Sequence, residues 1–135
     1  MAGLYIHVPF CKKKCTYCDF FSVNSHGKIK SYIDSLAREI KYYSGIKISF
    51  ETVYFGGGTP ALLEPEELEK IVSEMHARLK ISKNCEFTIE ANPENINPDK
   101  IKTLVSLGVN RISLGVQSLD ENILKSMGRL VTDPR

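Results

Sequence analysis

The chain lacks long hydrophobic runs: no stretch approaches the roughly 18 consecutive apolar residues that a membrane-spanning helix needs. Its opening residues, MAGLYIHVPF, contain neither the basic leader nor the small-residue cleavage site of a secretory signal. These two absences predict a cytoplasmic protein with no transmembrane segment.

The chain also has little net charge, and it lacks internal repeats and low-complexity segments. Eighteen basic and 16 acidic side chains leave a net charge of +2, which is too small to indicate binding to nucleic acid or to an anionic membrane. Hydrophobic residues make up 42% of the chain and charged residues 25%, as in ordinary globular proteins. The 135 residues fit a single domain, 1–135.

Cysteine is scarce, with four residues, but three of them are clustered. Cys11, Cys15 and Cys18 follow a short apolar run with the spacing C-x3-C-x2-C. In a reducing cytosol such a cluster is more typical of metal ligands than of disulfides, and three is an odd number for bridges. Three thiolates on one loop can hold three corners of a [4Fe-4S] cluster and leave the fourth iron open to another ligand.

Two other interpretations of these cysteines stay open. A zinc site usually has four ligands in paired clusters, and His7 and His26 do not complete a knuckle spacing. The cysteines could also be plain thiols. The fourth cysteine, Cys85, begins an apolar run and is expected to be a buried free thiol.

Strand-like and helix-like segments alternate along the chain. The helices are marked by three-four apolar spacing and by caps, among them Pro65, Asn97-Pro98 and a capping-box pattern, Ser118 to Glu121. This alternation predicts an α/β fold with a parallel sheet, a partial TIM-type (β/α) barrel of about four βα units. The predicted strands are 4–8, 50–55, 87–90 and 111–116, and the first helix is predicted at about 28–44.

Polar or glycine-rich residues follow every predicted strand. The cysteines follow the first strand, and Gly56 to Thr59 follow the second strand. Glu90 ends the third strand, and Gln117 follows the fourth strand. Ligands bind at the carboxyl ends of strands in parallel βα folds, so these groups are expected to share one rim.

The residues of this rim allow more than one interpretation. The glycine run lacks the Lys-Ser/Thr ending of a P-loop, and it either forms a tight turn or lets the backbone approach a ligand and offer it N–H and C=O groups. Glu90 could accept hydrogen bonds from an amine or a ribose hydroxyl, or could cap a surface loop. Arg129 alone resembles a cation at a helix C-terminus. His7 and His76 are expected to be structural.

Four motifs together resemble one family. The segments LYIHVPFCKKKCTYCDF, YFGGGTP, IEANPE and RISLGVQSLDENILKSMGR look like a radical S-adenosylmethionine protein of the oxygen-independent coproporphyrinogen III oxidase family. The match runs in order from about Leu4 to Arg129. The resemblance implies a [4Fe-4S] cluster on Cys11, Cys15 and Cys18, whose open iron binds S-adenosylmethionine. One electron from the cluster then cleaves the sulfonium to methionine and a 5′-deoxyadenosyl radical.

The resemblance also implies residues that bind the cofactor. Tyr5 and Tyr17 would flank it near the cluster, and Gly57, Gly58 and Thr59 would contact its methionine portion. The remaining predicted S-adenosylmethionine contacts are Glu90, Gln117 and Arg129. An electron donor such as a flavodoxin or ferredoxin is implied as a partner.

Two branches of the family differ next to the cysteine loop. The decarboxylating oxidases usually carry a further cysteine where this chain has Phe20. That difference favours the HemW-type branch of haem chaperones, with haem or porphyrin as a partner of the full-length protein. The coproporphyrinogen III oxidase activity and a truncated, non-catalytic metal-binding fragment are the alternatives.

The resemblance ends early. The family usually continues with a histidine near the place of Val131, two more βα units and a C-terminal domain. Four units are too few to close a barrel, and 130–135 show no periodicity or capping signal. We therefore expect the N-terminal portion of a radical S-adenosylmethionine core, truncated at its C-terminal end.

Overall fold

A computed structural model describes residues 1–129. The expectations for 130–135, including the place of Val131, lie outside the described residues. Four strands form one sheet in the order β1-β2-β3-β4, and every neighbouring pair is parallel. The strands are β1 Gly3–Val8, β2 Ser49–Gly57, β3 Lys80–Ala91 and β4 Arg111–Leu114, and the helices are α1 Ile29–Tyr42, α2 Pro65–Arg78, α3 Pro98–Ser106 and α4 Glu121–Ser126.

The core lies on one face of the sheet, where alternate strand residues are apolar. Helices α1 and α2 pack against each other and bury apolar residues at three-four spacing, such as Ile29, Ile33 and Ile40 in α1. The buried strand residues include Ile6, Val8, Val53, Phe55, Phe87 and Ile89. Among residues 1–129, no helix is both long and apolar enough to cross a membrane.

The opposite face of the sheet is polar, because the intervening strand positions carry hydroxyls and charges. Parallel pairing places Tyr5 beside Tyr54, Tyr54 beside Thr88, and Glu90 beside Ser113. This face and the carboxyl ends of the strands together position the site described below.

Helix caps explain where the helices begin, and one predicted cap was wrong. Asn97 Oδ1 accepts a hydrogen bond from the Lys100 N–H at 2.8 Å, as expected for the N-cap of α3. The capping box from Ser118 to Glu121 does not form. Helix α4 is capped instead by Asp120. Its Oδ1 accepts hydrogen bonds from the N–H groups of Asn122 and Ile123, in the first turn of the helix. An ionised carboxylate is a stronger acceptor for these N–H groups than a neutral hydroxyl.

Strand β3 is longer than predicted. The apolar pattern indicated only 87–90, whereas the strand spans Lys80–Ala91. Its pairing with β2 is interrupted: Phe50 faces Ile81, but Thr52 faces Glu86. The residues between Ile81 and Glu86 form an irregularity with polar side chains, which hides the first half of the strand from periodicity. Cys85, within this segment, is half-buried rather than fully buried, and burial raises the pKa of its thiol.

Candidate functional site

One cavity of about 340 Å³ lies at the carboxyl ends of the four strands. Its lining includes every predicted site residue except Tyr5, so the expected convergence on one rim is present. The predicted residues in the lining are Cys11, Cys15, Cys18, Tyr17, Gly57, Gly58, Thr59, Glu90, Gln117 and Arg129.

Backbone hydrogen bonds fix the cysteine loop at two places. The Cys11 N–H donates to the Val23 carbonyl at 3.1 Å, and the Val23 N–H donates to the Pro9 carbonyl at 2.7 Å. The Thr16 N–H donates to the Met127 carbonyl, just after α4, at 3.1 Å. The loop is therefore held against the segment at Val23 and against the residues that follow α4.

The donor set fits an iron–sulfur cubane. All three cysteines carry free thiols and are half-buried in the same cavity wall. Within residues 1–129, no three Cys, His, Asp or Glu side chains are close enough to bind one metal ion. A cubane does not require such closeness, because each thiolate binds its own iron. Ser22 Oγ, also in the lining, is buried and has no hydrogen-bond partner among the described residues.

Two of the cysteine sulfurs have hydrogen-bond donors nearby. The buried Thr59 hydroxyl donates to Cys11 Sγ at 3.7 Å. The Arg129 guanidinium lies 4.0 Å from Cys15 Sγ and donates to Asn92 Oδ1 at 2.9 Å and to the Gly115 carbonyl. Arg129 is therefore part of the site and not a solvated cation at the end of α4.

The glycine run packs against protein at all three positions. A Cβ on Gly56 would lie 2.8 Å from the Tyr54 ring, and one on Gly58 would lie 2.6 Å from the Phe10 carbonyl oxygen. Gly57 has φ +113°, and a Cβ there would meet the His7 ring at 2.5 Å. Each position therefore requires glycine before any ligand is considered.

The N–H groups of this loop are already bonded within the protein. Gly57 donates to Glu90 Oε2 at 3.0 Å, Gly58 to the Val8 carbonyl at 2.8 Å, and Thr59 to the Phe10 carbonyl at 2.8 Å. The N–H groups are therefore not free for a ligand, and the expectation is wrong for them. Contact through the C=O groups of this loop stays a prediction.

Glu90 has a partner on each carboxylate oxygen. Tyr54 donates to Oε1 at 2.8 Å, and Gly57 N–H donates to Oε2. Glu90 is half-buried in the lining, so it is not a surface acid capping a loop. Its second lone pairs remain to accept from a bound amine or hydroxyl.

Tyr5 lies outside the lining of this cavity. Its ring is stacked on Tyr54 with centroids 6.0 Å apart, and its hydroxyl is 3.1 Å from His7 Nδ1. Burial, followed by the nearby Glu90 carboxylate, raises the pKa of Tyr5. His7 is structural, as expected, since its Nε2 also contacts the Phe21 carbonyl at 3.1 Å.

Tyr17 and Gln117 complete the lining on the solvent side. Tyr17 is 49% exposed. Its partial burial is the main cause that raises the pKa of its hydroxyl. Gln117 has φ +64°, a left-handed backbone that a non-glycine residue adopts at a cost of about 1–2 kcal/mol. Such backbone conformations concentrate at functional sites.

Three residues of the site were missed from the sequence: Tyr54, Asn92 and Gly115. Tyr54 is two positions before Gly56 and therefore on the same face of β2, a signal that strand periodicity could have supplied. A Cβ at Gly115 would lie 2.9 Å from the Arg129 guanidinium, so a larger residue there would push this side chain out of its position. Gly115 and Arg129 are 14 residues apart in the sequence, with α4 between them. Apolar periodicity therefore does not predict their contact.

The fold and the site together define a class of protein: an α/β protein with a three-cysteine loop at the carboxyl ends of parallel strands. The family model of the Radical SAM superfamily matches residues 5–133. The chain belongs to this superfamily, and membership implies a [4Fe-4S] cluster and S-adenosylmethionine.

The relatives refine this placement. The chain is 42% identical over 130 residues to the heme chaperone HemW of Lactococcus lactis and 38% identical over 134 residues to that of Escherichia coli K12. These matches cover 96% and 95% of this chain but 34% and 35% of the relatives. The chain therefore spans about a third of the length of the curated relatives that it matches.

A solved structure supports the fold. The chain superimposes on coproporphyrinogen III oxidase (HemN) from Escherichia coli, described as a radical SAM enzyme, with a TM-score of 0.91 and 27% identity. The match covers 97% of this chain and 31% of that one. The four parallel strands and their helices thus follow the N-terminal part of a known radical SAM fold.

Proposed function

We propose that Cys11, Cys15 and Cys18 bind a [4Fe-4S] cluster and that the same cavity binds S-adenosylmethionine at the open iron. The observation that carries this proposal is the convergence of the three thiols with the polar ends of β2, β3 and β4 in one cavity. When bound, the cluster would supply one electron for cleavage of the sulfonium.

The other residues have roles that follow from their contacts. Glu90, fixed by Tyr54 and Gly57, accepts hydrogen bonds from the cofactor. Arg129 bears a positive charge next to Cys15, and its guanidinium would pair with the cofactor carboxylate. The further proposed cofactor contacts are Tyr5, Tyr17, Gly57, Gly58, Thr59 and Gln117.

We further propose that the chain is the N-terminal portion, 1–135, of the radical SAM core of a cytoplasmic haem chaperone of the HemW type. The identities of 42% and 38% to heme chaperones support this, as does Phe20 at the place where the decarboxylating oxidases usually have a cysteine. Haem or porphyrin would bind to segments beyond this chain. The electron would come from a donor such as a flavodoxin or ferredoxin.

The cluster is tested by anaerobic reconstitution with iron and sulfide. We expect broad visible absorption and about four irons for each chain, as a [4Fe-4S] cluster requires. Cys15→Ala should abolish the absorption, whereas Cys85→Ala, the same change outside the cavity, should retain it. Equal cluster content in the two variants, or purified protein carrying stoichiometric zinc and no iron, would contradict the proposal.

Coproporphyrinogen III oxidase activity is the second candidate, because HemN from Escherichia coli matches the fold closely. A full-length version should be incubated with coproporphyrinogen III, S-adenosylmethionine and a reductant. Carbon dioxide release would favour the oxidase, and binding of haem without carbon dioxide release would favour the chaperone.

A further inference from the structure

The Asn92 side chain connects the two residues that donate toward cysteine sulfurs. Its Oδ1 accepts from Arg129 Nη1 at 2.9 Å, and its Nδ2 donates to Thr59 Oγ1 at 3.3 Å. Thr59 in turn donates to Cys11 Sγ, and Arg129 lies against Cys15 Sγ. A single amide therefore links donors that serve two of the three cysteines.

The chemistry of the partners determines the direction of these bonds. Arginine has donors only, so the atom of Asn92 that faces Arg129 must be the amide oxygen. The amide NH₂ then faces Thr59 and occupies a lone pair of its hydroxyl. The single hydroxyl proton of Thr59 is left for another acceptor, and Cys11 Sγ is the acceptor within reach. Thr59 is 4% exposed, so water has little access to compete for this proton.

We infer that Asn92 is a positioning residue for the cluster: through its amide, Thr59 donates to the Cys11 sulfur and Arg129 stays beside the Cys15 sulfur. This inference rests on the proposed function. Hydrogen bonds to the cluster sulfurs and nearby positive charge stabilise the more negative, reduced state and raise the reduction potential. Asn92 therefore makes the cluster easier to reduce.

The test replaces the donor by an acceptor of the same shape. In Asn92→Asp, a carboxylate oxygen faces Thr59, so the hydroxyl proton turns to Asp and away from Cys11. We expect the reduced-to-oxidised ratio at fixed ambient potential to fall about tenfold, a midpoint shift of about −59 mV for a one-electron couple. The midpoint is measured by anaerobic redox titration followed by electron paramagnetic resonance, on the reconstituted full chain.

Companion variants separate the hydrogen bond from charge and from folding. Thr59→Val removes the hydroxyl without adding charge and should lower the midpoint, whereas Thr59→Ser keeps the hydroxyl and should restore it. Asn97→Asp adds the same charge at a helix N-cap that accepts it, and it should leave the midpoint unchanged. Asn92→Asp combined with Thr59→Val should shift the midpoint by less than the sum of the two.

The outcomes distinguish this inference from the function on which it rests. Wild-type protein that takes up no cluster overturns the proposed function and the inference with it. Variants that carry wild-type iron and sulfide but share the wild-type midpoint overturn the inference alone. An equal shift in Asn97→Asp and Asn92→Asp, or full additivity in the double variant, would also overturn it.

Discussion

The phenol of Tyr54 donates a 2.8 Å hydrogen bond to Oε1 of Glu90, across the polar face from β2 to β3. The ring reaches Glu90 because it leans over Gly56, where a Cβ would be only 2.8 Å away. Glu90 therefore holds a fixed position before a ligand arrives, and the first glycine of the run is what permits it. Burial and this bond to Glu90 both raise the pKa of Tyr54.

Tyr54→Phe should weaken S-adenosylmethionine binding without loss of the cluster. The change removes one hydrogen bond to a carboxylate that is proposed to accept from the cofactor. A hydrogen bond contributes about 0.5–1.5 kcal/mol, so the dissociation constant should rise by about twofold to twelvefold. Calorimetry on reconstituted protein measures it. Tyr42→Phe, the same change on a ring that is 82% exposed, is the control, and an equal effect in both variants would refute the role of Tyr54.

Gly57→Ala should destabilise the fold far more than Gly108→Ala. Both glycines have positive φ, +113° and +89°, so both changes incur the left-handed penalty of about 1–2 kcal/mol. Only at Gly57 does the new Cβ collide with the His7 ring, which adds about 1–3 kcal/mol of overpacking. Urea unfolding of the two variants measures the difference. Equal losses of stability would show that the His7 contact is unimportant.

Tyr32 should make the protein less stable in strong alkali. Its partly buried hydroxyl donates to the His7 carbonyl at 2.5 Å, and burial followed by the Glu39 carboxylate raises the pKa of Tyr32. Above about pH 10 the unfolded chain releases this proton while the folded chain keeps it, so folding loses about 1.4 kcal/mol for each pH unit. Below pH 10 the full contribution is present.

Tyr32→Phe isolates this effect from other titrating groups. At pH 7 the variant should be less stable by about 1 kcal/mol, since the His7 carbonyl loses its donor. The stability advantage of the wild type should then shrink as the pH rises above about 10. An advantage that stays constant from pH 8 to pH 11 in urea unfolding would contradict the assignment.

Much of the fold was predictable from local patterns. Three-four apolar spacing identified α1 and α2, and alternation with strands predicted the parallel sheet, which is confirmed. The sharing of one rim by the cysteines, Glu90 and Gln117 followed from topology alone, because parallel strands end at the same edge.

What the sequence could not show depends on contacts between distant residues. The bridge from Arg129 through Asn92 to Thr59 joins three segments, and no local pattern reports it. The glycine run allowed two interpretations, a tight turn or a backbone surface for a ligand, and neither of them identified the Tyr54 ring, the His7 ring and the Phe10 backbone that occupy its side-chain space. Local periodicity shows which face of a strand or helix a residue occupies, but it does not identify the distant residue that contacts it.

The most direct test of the account is electron paramagnetic resonance of the anaerobically reconstituted, reduced chain, recorded with and without S-adenosylmethionine. If one iron is open to the cofactor, the wild-type cluster signal should change shape on addition of S-adenosylmethionine. Cys15→Ala should give no cluster signal to change. A wild-type signal that is identical with and without saturating cofactor would contradict the central claim.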